Sequence, residues 1–284
     1  MTARRFLDAL SQNEALNFVL TNRIPRRFVT TVVGRVSKSE NPFVYKSAMA
    51  MWRLFSDLDL GEAKSTSFKS LHACFTRELR DGVRPVDPRP NVLTAPSDGI
   101  IVASGRIDGQ RLLQVKGSHY TLEDLAEGGD LSRYRHGYFV TLRLTATMYH
   151  RFHAPHDGAV RHVRYIPGDV WNVNPPALKR VSRLYCRNER AIIDFELQDQ
   201  RHIAMIPVAA ILVAGLKLAF LQFERSTTPA NYACSAPFSK GLEMGWFEHG
   251  STIIVLTEPG WKLADGLPTG TIVKMGQALL LADR

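Results

Sequence analysis

The chain has 284 residues, of which 45% are hydrophobic and 22% are charged. This composition is ordinary for a soluble globular protein with one large core, or one core and a smaller N-terminal element. The 36 basic and 27 acidic side chains give a formal charge of +9. A positive charge of this kind favours binding to nucleic acid or to an anionic membrane. The sequence has no zinc-finger spacing and no aromatic–basic signature, so we expect no nucleic-acid partner.

Cysteine spacing and hydropathy narrow the choice of protein class further. The cysteines are widely spaced and form no CxxC pair, which argues against a structural zinc or redox motif and fits reduced cytosolic thiols: Cys74, Cys186 and Cys234. The apolar stretch Ile206–Leu216 is too short to cross a bilayer and predicts a buried strand. Asp8 and Glu14 interrupt any secretory segment, so we expect no signal peptide. No histidine pair has supporting ligands, so we predict no metal.

Residues 1–80 are predicted to be a helical region. Apolar residues recur at helical spacing near the N-terminus, and Pro25 is expected to interrupt them. Asn41-Pro42 predicts an N-cap followed by the first helical residue. Ser67 predicts the cap of another helix that reaches Leu79.

The N-terminal helices are also asymmetric in charge. Residues 1–53 contain nine basic and three acidic side chains. Apolar helix faces beside arginines suit insertion at an anionic membrane interface. The alternative is that these helices cover the core and the arginines face water.

Residues 81–284 read as a β-rich body. Short apolar runs alternate with turns and predict strands at Gly99–Ala103, Leu112–Val115, Tyr138–Leu144, Ala191–Phe195, Ile203–Val208, Ile253–Leu256 and Thr271–Met275. We therefore predict an α+β protein whose catalytic body is a sandwich or barrel and whose helical N-terminal segment associates with a membrane. The segment Ala95–Gly99 recurs as Ala154–Gly158, either as a duplicated hammerhead-like unit or as two similar turns.

The most informative motif is the Gly250-Ser251 bond at the entrance to an apolar run. Taken alone, it reads most simply as a turn before a strand. A serine hydroxyl can also attack the preceding carbonyl, which glycine leaves sterically open, if a base activates it. Histidine is the usual base and a carboxylate commonly orients it; His153 and Asp98 can fill these two roles.

Several motifs occur together in a fixed order: Pro96-Ser97-Asp98-Gly99, Tyr149-His150-Arg151-Phe152-His153, Asn172-Val173-Asn174-Pro175, Arg187-Asn188-Glu189-Arg190 and Gly250-Ser251-Thr252. This set resembles the phosphatidylserine decarboxylase family, pyruvoyl-dependent enzymes made as self-cleaving proenzymes. The match runs from about Phe68 to Leu281. One departure is His249, where bacterial members often have leucine; the attacked bond itself is unchanged.

The resemblance implies a self-processing triad of Asp98, His153 and Ser251. Cleavage between Gly250 and Ser251 would give a β chain, residues 1–250, and an α chain, residues 251–284, headed by a pyruvoyl group formed from Ser251. That group would replace pyridoxal phosphate as the electron sink for decarboxylation. His150 is expected to protonate the carbanion or to transfer other protons of the substrate. The alternative is that it positions the substrate or forms a structural hydrogen bond.

The resemblance also implies a substrate and a location. The reaction would convert phosphatidylserine in an anionic membrane to phosphatidylethanolamine and CO₂, catalysed by a peripheral protein on the cytoplasmic face of the cell membrane. We expect the two chains to stay associated and the protein to be a homo-oligomer. The alternatives are a pyruvoyl decarboxylase of a soluble amino acid and a non-catalytic lipid-binding module. Arg187 and Arg190 could hold an anion by forked hydrogen bonds, or form surface ion pairs.

Overall fold

The computed structural model describes residues 14–115, 118–211, 215–223, 226–248 and 251–283. Its first part is helical: α1 (Glu14–Asn22), α2 (Arg26–Ser37), α3 (Pro42–Phe55) and α4 (Leu71–Phe75). The predicted helical pattern before residue 14 lies outside the described residues. No helix within the described ranges is long and apolar enough to cross a bilayer.

The boundaries of these helices follow from local chemistry. The side chain of Asn41 accepts hydrogen bonds from the backbone N–H groups of Phe43 and Val44, and Pro42 is the first helical residue. This confirms the predicted start of α3. The predicted cap at Ser67 is wrong, because the Ser70 hydroxyl accepts the N–H of the residue three positions later and α4 ends at residue 75.

The centre of the body is an antiparallel sheet. Its strands, in chain order, are β2 (Gly99–Arg106), β5 (Tyr138–Leu144), β7 (Gly158–Ile166), β8 (Arg190–Leu197), β9 (His202–Ala209), β11 (Ala230–Phe238), β13 (Ser251–Thr257) and β15 (Ile272–Val273). Across the sheet they lie in the order β11-β7-β8-β9-β13-β5-β2-β15. The predicted strands in this sheet fall on β2, β5, β8, β9, β13 and β15. The run in β13 is continuously apolar because this strand lies between β5 and β9 and both of its faces are buried.

Two small sheets cover one face of the central sheet. One joins β1 (Val92–Thr94), β16 (Ala278–Ala282) and β14 (Trp261–Leu263); the other joins β10 (Leu216–Leu218), β12 (Glu243–Phe247) and β6 (Arg151–His153). Between the layers lies an apolar core that includes Leu142, Phe152 and Phe247.

The opposite face carries the hairpin β3 (Arg111–Val115)–β4 (Ser118–Thr121) and the helices α5 (Leu122–Ala126), α6 (Pro175–Arg180) and α7 (Leu184–Arg187), around a second core. The α+β class and the β-rich body are therefore confirmed. The end strands β11 and β15 do not pair with each other in the described part of the chain, so the barrel alternative is wrong. A domain boundary near residue 80 stays a prediction.

The apolar stretch Ile206–Leu216 was predicted to be one strand, and this prediction is wrong. β9 ends at Ala209, whose N–H donates to the carbonyl of Glu189, and β10 begins at Leu216. Gly215 has a φ of +145°, which falls in the region that favours glycine. The chain therefore changes sheets within this stretch.

Arg190 has a structural role that the sequence did not indicate. Its side chain is fully buried and donates to the carbonyls of Leu125, Cys186 and Asn188, at 2.6–3.0 Å. It also pairs with Glu127 at 3.0 Å. These bonds tie α5 and α7 to β8 and use the donors that an anion site would need.

The two Ala-Pro-x-Asp-Gly turns are bonded to each other. The N–H of Thr94 donates to the carbonyl of Pro155 at 2.9 Å, and the N–H of His153 donates to the carbonyl of Pro96 at 2.8 Å. Thr94 and His153 each directly precede one motif, and Pro96 and Pro155 are the second residues of the two motifs, so the bonds are reciprocal.

The aspartates of the two turns are bonded in the same way. The Asp98 carboxylate accepts the N–H of Met275 at 2.9 Å, and the Asp157 carboxylate accepts the N–H of Lys240 at 2.8 Å. The turns then lead into β2 and β7, respectively. This repeated geometry favours a duplicated unit over two unrelated turns.

A buried carboxylate joins the N-terminal helices to the body. Glu248 follows β12, and its side chain is 7% exposed. It accepts hydrogen bonds from Lys38 at 2.8 Å, just after α2, and from His72 of α4 at 3.3 Å. Burial acts to raise the pKa of Glu248, but the bonds from His72 and Lys38 outweigh it and lower this pKa to about 2. Glu248 is therefore ionised at neutral pH.

We predict that this carboxylate makes stability pH-dependent. Because the folded pKa lies below the unfolded value of about 4.5, the contribution is fully present above pH 4.5 and is lost as the pH falls towards 2. Glu248→Gln should lower the free energy of unfolding at pH 7 by up to about 3 kcal/mol. Urea unfolding at pH 7, 5, 4 and 3 should show the difference from the parent shrinking with pH.

Glu78→Gln is the matched control, because Glu78 pairs with Lys64 at 2.9 Å but is half exposed. Its loss should cost less than about 1 kcal/mol. A constant difference between parent and Glu248→Gln at every pH would contradict the role of Glu248.

Candidate active site

The sheet topology brings Asp98 and Ser251 to the same edge. β2 and β13 flank β5 and both run antiparallel to it. Arg143 of β5 lies opposite Ile100 on one side and opposite Thr252 on the other. Asp98 directly precedes β2, and Ser251 is the first residue of β13. Two interstrand spacings place these backbones roughly 10 Å apart.

His153 reaches this edge on β6, through its backbone bond to Pro96, two residues before Asp98. Its ring is buried. Nδ1 is 2.8 Å from the carbonyl of Gly241, which can only accept, so Nδ1 carries a proton. Nε2 is therefore the acceptor for the Tyr149 hydroxyl, 2.9 Å away. Burial lowers the pKa of His153, which favours the neutral ring that a base requires.

Asp98 is held by an arginine. Arg84 donates from Nε and Nη2 to the two carboxylate oxygens, at 2.8 and 2.6 Å, and also bonds Glu62 at 2.6 Å. Burial acts to lower the pKa of Arg84, but the bonds to Asp98 and Glu62 raise it. Within the described contacts, Asp98 and His153 share no hydrogen bond. The structure brings the two together, and their role as a triad stays a prediction.

His150 lies where the small sheet of β6, β10 and β12 approaches the predicted cleavage segment, residues 248–252. Its ring is fully buried, its Nδ1 is 2.8 Å from the carbonyl of Met148, and its centroid is 3.9 Å from that of Phe75. Its own carbonyl accepts the N–H of Phe247 at 2.9 Å, at the end of β12. This end is three residues before Gly250. His150 is thus placed next to the chain segment that leads into the predicted cleavage site.

The predicted cleavage segment is described in part. His249 and Gly250 lie outside the described residues, and for Ser251 the backbone alone is described. Ser251 pairs with Leu144 on β5 and with Ala209 on β9. Residue 251 is therefore held from both sides by the sheet.

Sequence reasoning missed three side chains around these residues. Neither Arg84 nor Tyr149 was given a role, although Tyr149 stood within a quoted motif and both bond a predicted site residue. Glu248 gave no signal, because Lys38 is 210 positions away from it in the sequence. Only the fold shows such partners.

Known proteins resemble this chain over most of its length. The sequence profile described as phosphatidylserine decarboxylase matches residues 71–281, which include all the predicted site residues. The chain is 34% identical over 275 residues to the phosphatidylserine decarboxylase proenzyme of Citrobacter koseri, covering 91% of this chain and 85% of the relative. The proenzyme of Escherichia coli gives the same identity and coverage. The chain therefore belongs to the phosphatidylserine decarboxylase family.

Proposed function

We propose that this protein converts phosphatidylserine to phosphatidylethanolamine and CO₂ by means of a pyruvoyl group that it makes from Ser251. One observation carries the proposal: the Asp98 turn, the His150–His153 segment and the start of β13 converge at one edge of the sheet. Membership of the family supports the reaction.

The first step concerns the chain itself. The Ser251 hydroxyl oxygen bonds to the Gly250 carbonyl carbon, and the C–N bond breaks, so that the amide becomes an ester. The hydroxyl proton passes to a base and the nitrogen of residue 251 gains a proton. His153 suits the role of base because its ring is neutral and its Nε2 is the unprotonated nitrogen. The Tyr149 hydroxyl bonded to Nε2 can relay the proton.

The second step breaks the ester. Loss of the α-proton of residue 251 expels the Gly250 carboxylate and leaves a dehydroalanine, which water converts to the pyruvoyl group and ammonia. The residues present fit this group: residue 251 is a serine whose backbone is paired on both sides, with Leu144 and Ala209. This pairing would hold the new chain end in place.

Decarboxylation needs an electron sink, which the pyruvoyl carbonyl supplies when formed. The protein must also return a proton to the carbon that loses CO₂. Nδ1 of His150 faces the carbonyl of Met148, so in the neutral ring Nε2 is the basic nitrogen. Its place beside the end of β12 suits it to hold and deliver that proton.

The surface of α2 and α3 supports membrane binding. Apolar side chains stand exposed by 39–83% in two stripes: Phe28, Val32 and Val36 on α2, and Phe43, Met51 and Leu54 on α3. Exposed cations accompany them: Arg23, Arg35, Lys46 and Arg53. We propose that this face enters the anionic interface on the cytoplasmic side of the membrane. The exposed stripes favour a lipid substrate over a soluble amino acid. The homo-oligomer stays a prediction.

Two other arginines of this region, Arg26 and Arg27, contact the β-rich body. Arg26 pairs with Asp169 and lies 3.6 Å from the ring centre of Trp171. Arg27 donates to the carbonyl of Gly168 at 3.0 Å. These contacts attach α2 to the body and leave the membrane face to the exposed cations.

Self-cleavage is tested by removing its nucleophile. Ser251→Ala should leave a single 31.8 kDa chain without activity, and His153→Ala should do nearly the same. His156→Ala removes a neighbouring imidazole and should cleave normally. Intact mass spectrometry and a decarboxylation assay measure the two outcomes. Efficient cleavage between residues 250 and 251 in either of the first two variants would rule out this mechanism.

His150→Ala should separate maturation from turnover. The ester can form without this ring, so cleavage should proceed substantially. Turnover should fall by about 10²–10⁴-fold, the usual contribution of a general acid or base. Cleavage is followed by mass and turnover by CO₂ release from the fully processed fraction. Equal loss of both steps would show that the roles of His150 and His153 are not divided.

The membrane face is tested by charge. Replacing Arg23, Arg35 and Lys46 with Gln should weaken binding to anionic vesicles by about tenfold or more, since each basic residue contributes about 1 kcal/mol. High salt should weaken the parent's binding without abolishing it, because the apolar stripes remain. The control replaces three exposed arginines of the body, Arg106, Arg111 and Arg135. Equal flotation of both triple variants with phosphatidylserine vesicles would refute the assignment.

A further inference from the structure

The carbonyl that sets the tautomer of His153 belongs to a tight turn, residues 239–242. The N–H of the fourth residue of this turn donates to the carbonyl of the first at 3.0 Å. Gly241, the third residue, has a φ of +84°, in the left-handed region that favours glycine. Its carbonyl lies 2.8 Å from Nδ1 of His153. The tautomer of His153 therefore depends on the shape and the position of this turn.

Asp157 and Lys240 hold the turn in place. The Asp157 carboxylate accepts the N–H of Lys240 at 2.8 Å. The ammonium group of Lys240 donates to three backbone carbonyls at 2.7–3.3 Å, those of Arg89, Val92 and Asp87. These acceptors match the three donors of a lysine side chain. The side chain of Lys240 therefore anchors the turn to the segment that leads into β1.

The first copy of the Ala-Pro-x-Asp-Gly motif holds a second turn, residues 274–277, in the same way. This turn also closes with a bond from its fourth residue to its first, at 3.1 Å, and its glycine, Gly276, has a φ of +87°. The N–H of Gly276 donates to the carbonyl of Ala95 at 3.0 Å, as that of Gly241 donates to Ala154 at 2.8 Å. In both copies the aspartate of the motif accepts the N–H just before the glycine. The bond from aspartate to turn is therefore part of the repeated unit.

The two copies differ in what the glycine carbonyl accepts. The carbonyl of Gly276 accepts the backbone N–H of Asp87 at 2.9 Å, whereas that of Gly241 accepts Nδ1–H of His153. One unit thus joins two segments of backbone, and the other holds an imidazole. With its proton on Nδ1, the neutral ring has its lone pair on Nε2. If the carbonyl moved away, the proton could shift to Nε2, which would then no longer act as a base.

We infer that Asp157 and Lys240 are positioning residues for His153: they hold the Gly241 carbonyl against Nδ1 and so keep Nε2 as the basic nitrogen. The consequence for self-cleavage rests on the proposed function, in which His153 is the base. Asp157 needs only an oxygen that accepts the N–H of residue 240, and the side-chain amide of asparagine has one. Asp157→Asn should therefore preserve the arrangement, whereas Asp157→Ala should not.

The tautomer can be read by NMR in the Ser251→Ala precursor labelled with ¹⁵N-histidine, because protonated and unprotonated ring nitrogens differ in ¹⁵N shift. The signals of His153 are those that His153→Gln removes. Asp157→Ala and Lys240→Met should each move His153 towards the form protonated on Nε2, and Asp157→Asn should resemble the parent. Asp265→Ala, at an exposed position after β14, is the control and should change nothing.

The same substitutions in the chain with Ser251 test the consequence for cleavage, followed by intact mass after cell-free synthesis is stopped. Asp157→Ala should slow cleavage by about tenfold or more, and Asp157→Asn should cleave at close to the parent rate. Ile107→Val is the matched control for stability, because it removes a buried methylene from the core on the opposite face of the central sheet. It should lower the melting temperature and leave both the tautomer and the cleavage rate unchanged.

Lys240→Met keeps the test decisive if Asp157→Ala does not fold. A parent-like tautomer of His153 in the variants that fold would overturn the inference, as would the same tautomer change in Ile107→Val. A changed tautomer with normal cleavage would show that His153 is not the base. In that case the proposed role of His153 fails, and the positioning by Asp157 and Lys240 stands.

Discussion

The reciprocal backbone bonds between the two Ala-Pro-x-Asp-Gly turns fix the geometry on which the rest of the site depends. Thr94 bonds Pro155 and His153 bonds Pro96, so each turn supplies the partner that the other turn needs. Buried N–H and carbonyl groups must be paired, and here each pairing joins distant parts of the chain. The starts of β2 and β7 are thereby fastened to each other, and His153 is brought to the turn that holds Asp98.

The two turns share a geometry but differ in their surroundings. Asp98 is buried against Arg84 and leads into β2, whose neighbour β5 pairs with β13. Asp157 leads into β7, which lies between β11 and β8. The same five-residue motif is thus repeated, and its place in the sheet decides which copy lies near the predicted cleavage segment. Function here is a property of the site rather than of the motif.

The sequence predicted those strands whose apolar runs reflect burial on both faces, such as β13 and β9. It did not predict β7 or β11, in which buried and exposed positions interchange and polar residues such as Arg161 and Asn231 stand within the strand. Ser67 and Ser70 are equally good caps by residue type, and only the tertiary contacts of α4 select the second. Composition could not distinguish a sandwich from a barrel, because both bury alternating strands and differ only in whether the end strands meet.

The partners of the predicted site residues were beyond sequence reasoning for a different reason. Arg84 stands 14 positions before Asp98, and Gly241 stands 88 positions after His153, so no local spacing connects them. Residue types suggested a carboxylate, a base and a nucleophile. The structure adds that the carboxylate is paired with an arginine and that a backbone carbonyl sets the tautomer of the histidine.

The position of β13 determines how a processed molecule would retain its shorter chain. Cutting the chain before residue 251 would leave residues 251–284 supplying a central strand, an edge strand and two strands of a small sheet. These strands are interleaved with those of the longer chain, so the short piece could leave only if the body opened. A processed molecule that unfolded would lose this piece to dilution and could not reassemble it readily. The precursor would then be the species that folds. The processed enzyme would stay intact because it unfolds slowly, and not because its folded state is favoured at equilibrium.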